Sequence, residues 1–218
     1  SEFLNPIGFG GILGLLKNYE AINPFVSHST DALNRLKPGY EAPVCIVTSL
    51  GHRPSDPSRN RTILAGLVRD INNPLATRFE LRSPNPKSNT YLVIASSYMA
   101  MLDGIKAALE AKKTPLELEK SISKKYGEDD FYLDTYREYR SEKNVFLDYT
   151  PEERDRLFGH APRTVWENIE GFNLYPEKTQ AISCNGVIPT SALLSFADYA
   201  ISQWATELND RIIPEYRK

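Results

Sequence analysis

Three stretches of the 218-residue sequence place charged side chains where they could do chemistry. In Thr77-Arg78-Phe79-Glu80-Leu81-Arg82 polar and apolar residues alternate strictly. The two-residue period of a strand then puts Arg78, Glu80 and Arg82 on one face and Phe79 and Leu81 on the other. A carboxylate between two guanidiniums is pushed toward its ionised form, which suits a hard cation such as Mg²⁺, and the arginines suit carboxylate or phosphate anions. The same triplet serves equally as a salt-bridge ladder on a solvated sheet face. The second stretch, Asn34 to Pro43, carries Arg35, Lys37 and Glu41 around Pro38-Gly39. A Glu on a loop hinged by Pro and Gly can close over a site and accept a proton, although a plain surface turn has the same composition. The third is Arg59-Asn60-Arg61, with Arg53 and Arg69 nearby. Arginines clustered on a loop bind phosphate through bidentate contacts, or simply form a solvated basic loop.

Other chemistries are not signalled. His28, His52 and His160 are scattered, so a zinc site is not expected. Neither a Walker A loop nor a Gly-rich dinucleotide fingerprint occurs. Cys45 and Cys184 are isolated thiols, which fits a reduced cytoplasm. With 41% hydrophobic and 25% charged residues the chain has an ordinary globular composition, which excludes collagen-like and largely disordered classes. The formal charge of −2 speaks against nucleic acid as a partner. A membrane partner is not expected either, because no unbroken apolar run approaches the ~18–20 residues of a span. Nor does Ser1 to Pro6 read as a signal peptide, having no basic n-region. Charge is uneven, however: residues 35–69 hold six Arg and Lys against Glu41 and Asp56, a net +4 on an otherwise acidic chain. That points to a small anionic ligand.

The elements that must position these residues follow from periodicity. Ile12, Leu13, Leu15, Leu16, Tyr19 and Ile22 predict a helix ending at Asn23-Pro24. Val44 to Thr48 and Ile63 to Val68 predict short buried strands, with Gly51 to Asn60 a polar loop between them. Tyr91 to Lys112 predicts a helix in which Asp103-Gly104 is a packing or kink feature. Residues 115–157, dense in both charge signs and in Tyr, predict short helices on a solvated surface. A helix turn or two is expected over Thr164 to Phe172. Leu193, Leu194, Ala197, Ile201, Trp204, Leu208 and Ile212 predict a core-packing helix from Pro189 that Pro214 closes.

Taken in order, the three charged stretches resemble glutamine synthetase. Asn23-Pro24 followed by Asn34-Arg35-Leu36-Lys37-Pro38-Gly39-Tyr40-Glu41-Ala42-Pro43 is similar to the family's N-P…K-R-L-x-P-G-[YF]-E-A-P block. Arg59-Asn60-Arg61-Thr62 is similar to R-N-R-S. Arg78 to Leu92 is similar to R-[IV]-E-x-R-x-P-[DS]-x-x-x-N-P-Y-L, and Met101-Leu102-Asp103-Gly104-Ile105 to the helix after it. These motifs lie in residues 10–106, and residues 107–218 resemble the helical C-terminal region of long bacterial type I-like members less specifically.

The resemblance implies an α+β fold, the C-terminal portion of a catalytic domain with mostly antiparallel strands backed by helices. The N-terminal β-grasp domain and the first half of the catalytic domain, with the E-x-E strand and H-x-H segment, are expected upstream. It implies an ATP-dependent glutamate–ammonia ligase working through γ-glutamyl phosphate with Mg²⁺ or Mn²⁺, and homo-oligomers with shared active sites. Ligation of glutamate to another amine, or a non-catalytic homologue, are the alternatives. By resemblance Glu41 is the flap base and Arg61 the arginine near the transferred phosphate, with Arg59 beside it. Arg35, Arg82 and Arg59 bind substrate, Arg35 and Arg82 by contacting glutamate, Arg69 and Arg78 face the nucleotide with Arg61, and Glu80 ligates a divalent ion. Gly51 to Ser58 looks like an insertion before R-N-R, and Arg69 lies farther along than the family's second phosphate arginine.

Overall fold

The computed structural model describes residues 3–35 and 45–217. Most of the loop carrying Glu41, and Val44, lie outside the described residues. Helix α1 (Pro6–Lys17) starts where the Asn5 side chain accepts the Gly8 N–H at 2.8 Å and Pro6 occupies the first turn. Helix α2 (Tyr19–Val26) runs through Asn23-Pro24, where the sequence predicted a stop. The bond lost at Pro24 is tolerated because the helix is held by burial: Ile22 and Phe25 are inaccessible, and Asn23 donates to Asn168 at 2.7 Å. Helix α3 (Thr30–Asn34) follows, capped by Ser29.

Strands β1 (Thr48–Ser49), β2 (Ala65–Val68) and β3 (Arg78–Leu81) form a small mixed sheet in that order. β1 and β2 are parallel, pairing Thr48 with Ala65 and Ser49 with Gly66. β2 and β3 are antiparallel, from Ala65 opposite Leu81 to Val68 opposite Arg78. β1 is shorter and later than the predicted strand, since Ile46 donates instead to the Phe158 carbonyl at the end of a distant helix. Helices follow: α4 (Thr90–Glu110), α5 (Pro115–Ile122), α6 (Pro151–Phe158), α7 (Val165–Leu174), α8 (Pro176–Ser183), α9 (Thr190–Glu207) and α10 (Ile213–Tyr216). Together they make an α+β fragment.

The principal packing is α1 against α4, at backbone distance. A Cβ on Gly14 would lie 1.9 Å from the Ala100 carbonyl oxygen, and one on Gly104 2.2 Å from that of Gly10. Only hydrogen fits at these positions. Asp103 accepts hydrogen bonds from Asn18 and Tyr132, so Asp103-Gly104 both permits the approach and anchors its edge. Around the crossing Phe9, Ile12, Leu13, Leu16 and Phe25 are fully buried in one cluster with Leu64 and Leu67 of the sheet region. α4 has the length and mean hydropathy of a membrane span, unlike the sequence expectation, because its few charges do not lower the average enough.

Two other expectations fail. Residues 123–150 are not a solvated helical surface: Tyr139 is inaccessible, and Thr48 pairs with Arg140 to extend the sheet edge. Charges are buried in pairs here. Lys178, 1% exposed, donates to Glu20 at 3.1 Å and Asp134 at 2.9 Å, while Arg137 meets the other Glu20 oxygen at 2.8 Å. α9 does pack one face on the core, Leu193 in the main cluster and Ala200 in another with Ala197, Ile201 and Trp204 against it, while Leu194 and Tyr199 are exposed. Pro214 does not close it, because a π-helical turn over Leu208–Ile212 carries the chain into α10 with Pro214 in its first turn.

Gly104→Ala gains about 1 kcal/mol of helix propensity and is nevertheless expected to destabilise, since forced overpacking costs about 1–3 kcal/mol or more. Urea unfolding checks this, and a midpoint at or above wild type would contradict it. Lys178→Met, which removes one partner of a buried ionic cluster, is expected to cost about 3–5 kcal/mol. Burial raises the Asp134 carboxyl, but the charge and hydrogen bond of Lys178 outweigh it and hold it below the usual range. Its contribution is present above its unfolded value near ~3.9 and is lost as pH falls below that. Burial lowers Lys178, but Glu20 and Asp134 outweigh it and raise the net value. Its contribution is complete below its unfolded value near ~10.4 and is lost as pH rises through the folded one. Melting temperature against pH should therefore fall on both sides of a plateau, and both limbs should be shallower in Lys178→Met.

Candidate functional site

β3 has the alternation read from its sequence: Arg78 and Glu80 are exposed, while Phe79 and Leu81 pack against the main core. Gly66 stands directly opposite Glu80 and Ser49 opposite Gly66, so these three share a row across the sheet. Because Gly66 has no side chain, Glu80 has no cross-strand neighbour on β2. Its carboxylate, 49% exposed, pairs with Arg82 at 2.6 Å, whose side chain is 14% exposed. That bond ties down one arginine of the triplet and leaves the outer side of the Glu80 carboxylate toward solvent.

Arg35 caps the C-terminus of α3 and donates to the Pro84 carbonyl at 3.3 Å, two residues beyond Arg82. The segment just after Pro84 is held to the end of α2, where the Asn85 N–H and the Ser88 hydroxyl both donate to the Val26 carbonyl. Arg82 N–H in turn donates to the Leu64 carbonyl at 2.9 Å, just before β2. The Arg59-Asn60-Arg61 loop enters β2 from this same end. Asn60 is fixed, accepting from the Thr62 N–H and hydroxyl and donating to the Lys143 carbonyl at 2.7 Å. Arg59 and Arg61 on either side of it are exposed. They line a cleft of about 480 Å³ with His52, Asp56, Glu142 and Asn144. The loop is thus built to hold its Asn and present its arginines.

Arg35, Arg59, Arg61, Glu80 and Arg82 therefore gather toward one end of the sheet. Arg78 lies opposite Val68, next to Arg69, at the other end. Four residues of strand separate Arg78 from Arg82, about 13 Å. Arg78 donates to the Ala76 carbonyl and Arg69 to that of Phe3. The sheet thus divides the proposed arginines into two sets. Glu41 lies outside the described residues.

Sequence reading missed Glu142 and Ser49. Glu142 accepts from the Leu50 and Gly51 N–H groups, the Ser49 hydroxyl and Arg140. Burial raises its carboxyl, but the Ser49 and Arg140 hydrogen bonds outweigh that and hold it below the usual range. A Glu among many charges, 91 to 93 residues from the segment it bonds, carries no local signal. Cys45 is core rather than reactive, its thiol pushed up to about 12 by burial. It lines a separate cavity of about 260 Å³ with Tyr19, Asn168 and Tyr175, which includes none of the proposed arginines.

Chemically, the exposed guanidiniums of Arg59 and Arg61 suit anions, and the Glu80 carboxylate is paired with Arg82. It does not by itself form a divalent-cation site. Among the described residues no cluster of three or more His, Cys, Asp or Glu could hold a metal, and Glu80 contributes a single carboxylate.

Comparison with known proteins shows the family. The family model described as glutamine synthetase, catalytic domain, matches residues 5–126. Glutamine synthetase of Rhizobium meliloti (strain 1021) is 41% identical over 100 residues, 46% of this chain and 19% of the relative. That of Azotobacter vinelandii is 32% identical over 161 residues, 61% of this chain and 32% of the relative. The chain thus spans about a fifth to a third of the curated relatives it matches. In fold it is similar to glutamine synthetase of Plasmodium falciparum, with a TM-score of 0.63 at 17% identity, over 95% of this chain and 40% of that one. It is also similar to a structure titled GmaS/ADP complex, with a TM-score of 0.58 at 19% identity, over 95% of this chain and 38% of that one. With more than half of its length matched by the family model, the chain belongs to the glutamine synthetase catalytic-domain family.

Proposed function

We propose that the protein containing this chain is an ATP-dependent glutamate–ammonia ligase and that the chain supplies part of its active site. What supports this reading is that the Arg82–Glu80 pair, Arg35 bonded two residues beyond it, and the exposed Arg59 and Arg61 of the loop entering β2 all lie toward one end of the sheet. Making an amide from a carboxylate requires a leaving group on the carboxyl carbon. Phosphoryl transfer supplies it as γ-glutamyl phosphate, and such transfer is promoted chiefly by charge neutralisation and positioning. Arg61, with Arg59 beside it, would neutralise the transferred phosphoryl group, its guanidinium being exposed in the cleft and unpaired among the described residues. Arg82 and Arg35, buttressed by Glu80 and the Pro84 carbonyl, would hold the carboxylates of glutamate. Arg69 and Arg78, at the far end of the sheet, would lie along the nucleotide with Arg61. Glu41 would take the proton that makes ammonia nucleophilic.

Glu80 would donate one oxygen to Mg²⁺ or Mn²⁺, which when bound neutralises phosphate charge. Its other ligands would come from outside the described residues, and no step here is routed through the ion. The parent protein is expected to be a homo-oligomer with shared sites in the cytoplasm, where free thiols at Cys45 and Cys184 are stable.

Phosphate release by the full-length protein is expected to require ATP, glutamate and ammonium together. Replacing ammonium by methylamine distinguishes the amine acceptor. Arg61→Ala should lower kcat by at least about a hundredfold, the scale set by losing one transition-state charge contact. Wild-type release that ignores glutamate would refute the reading. The 218-residue chain alone is expected to show no γ-glutamyl transfer, and measurable transfer by it would show that one chain piece suffices.

A further inference from the structure

We propose that Glu142 is a positioning residue for the Arg59-Asn60-Arg61 loop, holding its guanidiniums where the phosphoryl group is transferred; this rests on the ligase reading above. The loop leaves the sheet at Ser49 and returns at Thr62, and the segment 139–145 fastens both ends. At the outgoing end Thr48 N–H donates to the Tyr139 carbonyl at 2.8 Å and Ser141 N–H to the Thr48 carbonyl at 2.9 Å. The Glu142 carboxylate then takes the next two backbone donors, Leu50 N–H at 3.2 Å and Gly51 N–H at 3.0 Å, along with the Ser49 hydroxyl. Arg140 completes the clamp, donating to Glu142 at 2.9 Å and to the Gly51 carbonyl at 2.8 Å. At the returning end Lys143 accepts from Asn60 at 2.7 Å, and Val145 N–H donates to the Thr62 hydroxyl at 3.0 Å.

Two features make Glu142 more than a general brace. Its contacts run to the motif: Ser49 also bonds Ser58, and the Ser58 hydroxyl accepts the Asn60 N–H at 3.1 Å. A chain of polar contacts therefore joins Glu142 to the residue between the two arginines. The carboxylate also lines the same cleft as Arg59 and Arg61, and it bonds Ser49, whose sheet row ends at Glu80. Between the clamped ends, Gly51 holds a φ of +95°, and a Cβ there would lie 2.4 Å from the Asp56 carbonyl oxygen. Residues 51–58, an apparent insertion by sequence, are therefore a folded-back turn seated on Glu142. They lengthen the loop, and the ion pair removes the slack that extra length brings.

The test uses the full-length protein. Glu142→Gln keeps the side chain's size and removes its charge and one acceptor. Its kcat is expected to fall by about tenfold to a hundredfold, the scale of a small misplacement of a catalytic group. KM for glutamate should stay within about threefold, because Arg35 and Arg82 are held by α3 and β3 rather than by this clamp. Amide hydrogen exchange over residues 50–62 should quicken, with α1 and α4 unchanged. Glu142→Asp, which keeps the charge, should fall between. An unchanged kcat, equal losses in kcat and glutamate affinity, or unaltered exchange over 50–62 would overturn the proposal. Failure of both variants to fold would overturn it too, by making Glu142 a determinant of folding alone. If the wild type released no phosphate with ATP, glutamate and ammonium, the ligase reading would fall, whereas exchange over 50–62 would still report on the clamp.

Discussion

The close approach of α1 and α4 is the constraint on which the rest of the chain depends. Gly10, Gly14 and Gly104 let two backbones meet with no side chain between them, a distance any Cβ would forbid. Each helix leads directly into a site segment. α1 continues through α2 and α3 to Arg35, and α4 begins nine residues after β3, which carries Arg78, Glu80 and Arg82. A shift of one helix against the other would move Arg35 relative to Arg82, because the 83–88 segment between them is bonded to the end of α2. Packing at this density transmits displacement rather than absorbing it.

Electrostatics are handled differently on the two sides of the sheet. In the interior, charges are closed into pairs: Lys178 satisfies two carboxylates and Glu20 spans two cations. A buried charge left single costs far more than a pair, and that cost sets the pattern. On the open face the pattern is reversed. Glu80 is paired on one side and open on the other, and Arg59 and Arg61 are presented by a loop whose own hydrogen bonds are spent on holding Asn60. An anion-binding surface needs such uncompensated cations, and they are inexpensive only where water reaches them.

The strand face of Arg78, Glu80 and Arg82 was legible because strand alternation is a local property: once Phe79 and Leu81 enter the core, the polar face follows. The α4 helix and the packing role of Asp103-Gly104 were legible for the same reason. The continuation of α2 through Pro24 was not, because the contacts that outweigh the proline come from α7, some 145 residues away. Residues 123–150 misled for a related reason. Their charges read as solvent-facing, but Arg137 and Asp134 meet Glu20 and Lys178 far away in sequence, and periodicity cannot see those partners.

By itself, then, the sequence determined which residues could bind anions, the alternation that orients them, and the family to which they belong. Only the tertiary structure decided which of them lie toward the same end of the sheet. The antiparallel register of β2 and β3 places Arg82 beside the Arg59-Asn60-Arg61 loop and sends Arg69 and Arg78 to the opposite end. It also brought in Glu142, which no motif marks. The physical reason is that spacing along a chain fixes direction within one element, whereas proximity between elements is set by how their backbones pack and pair.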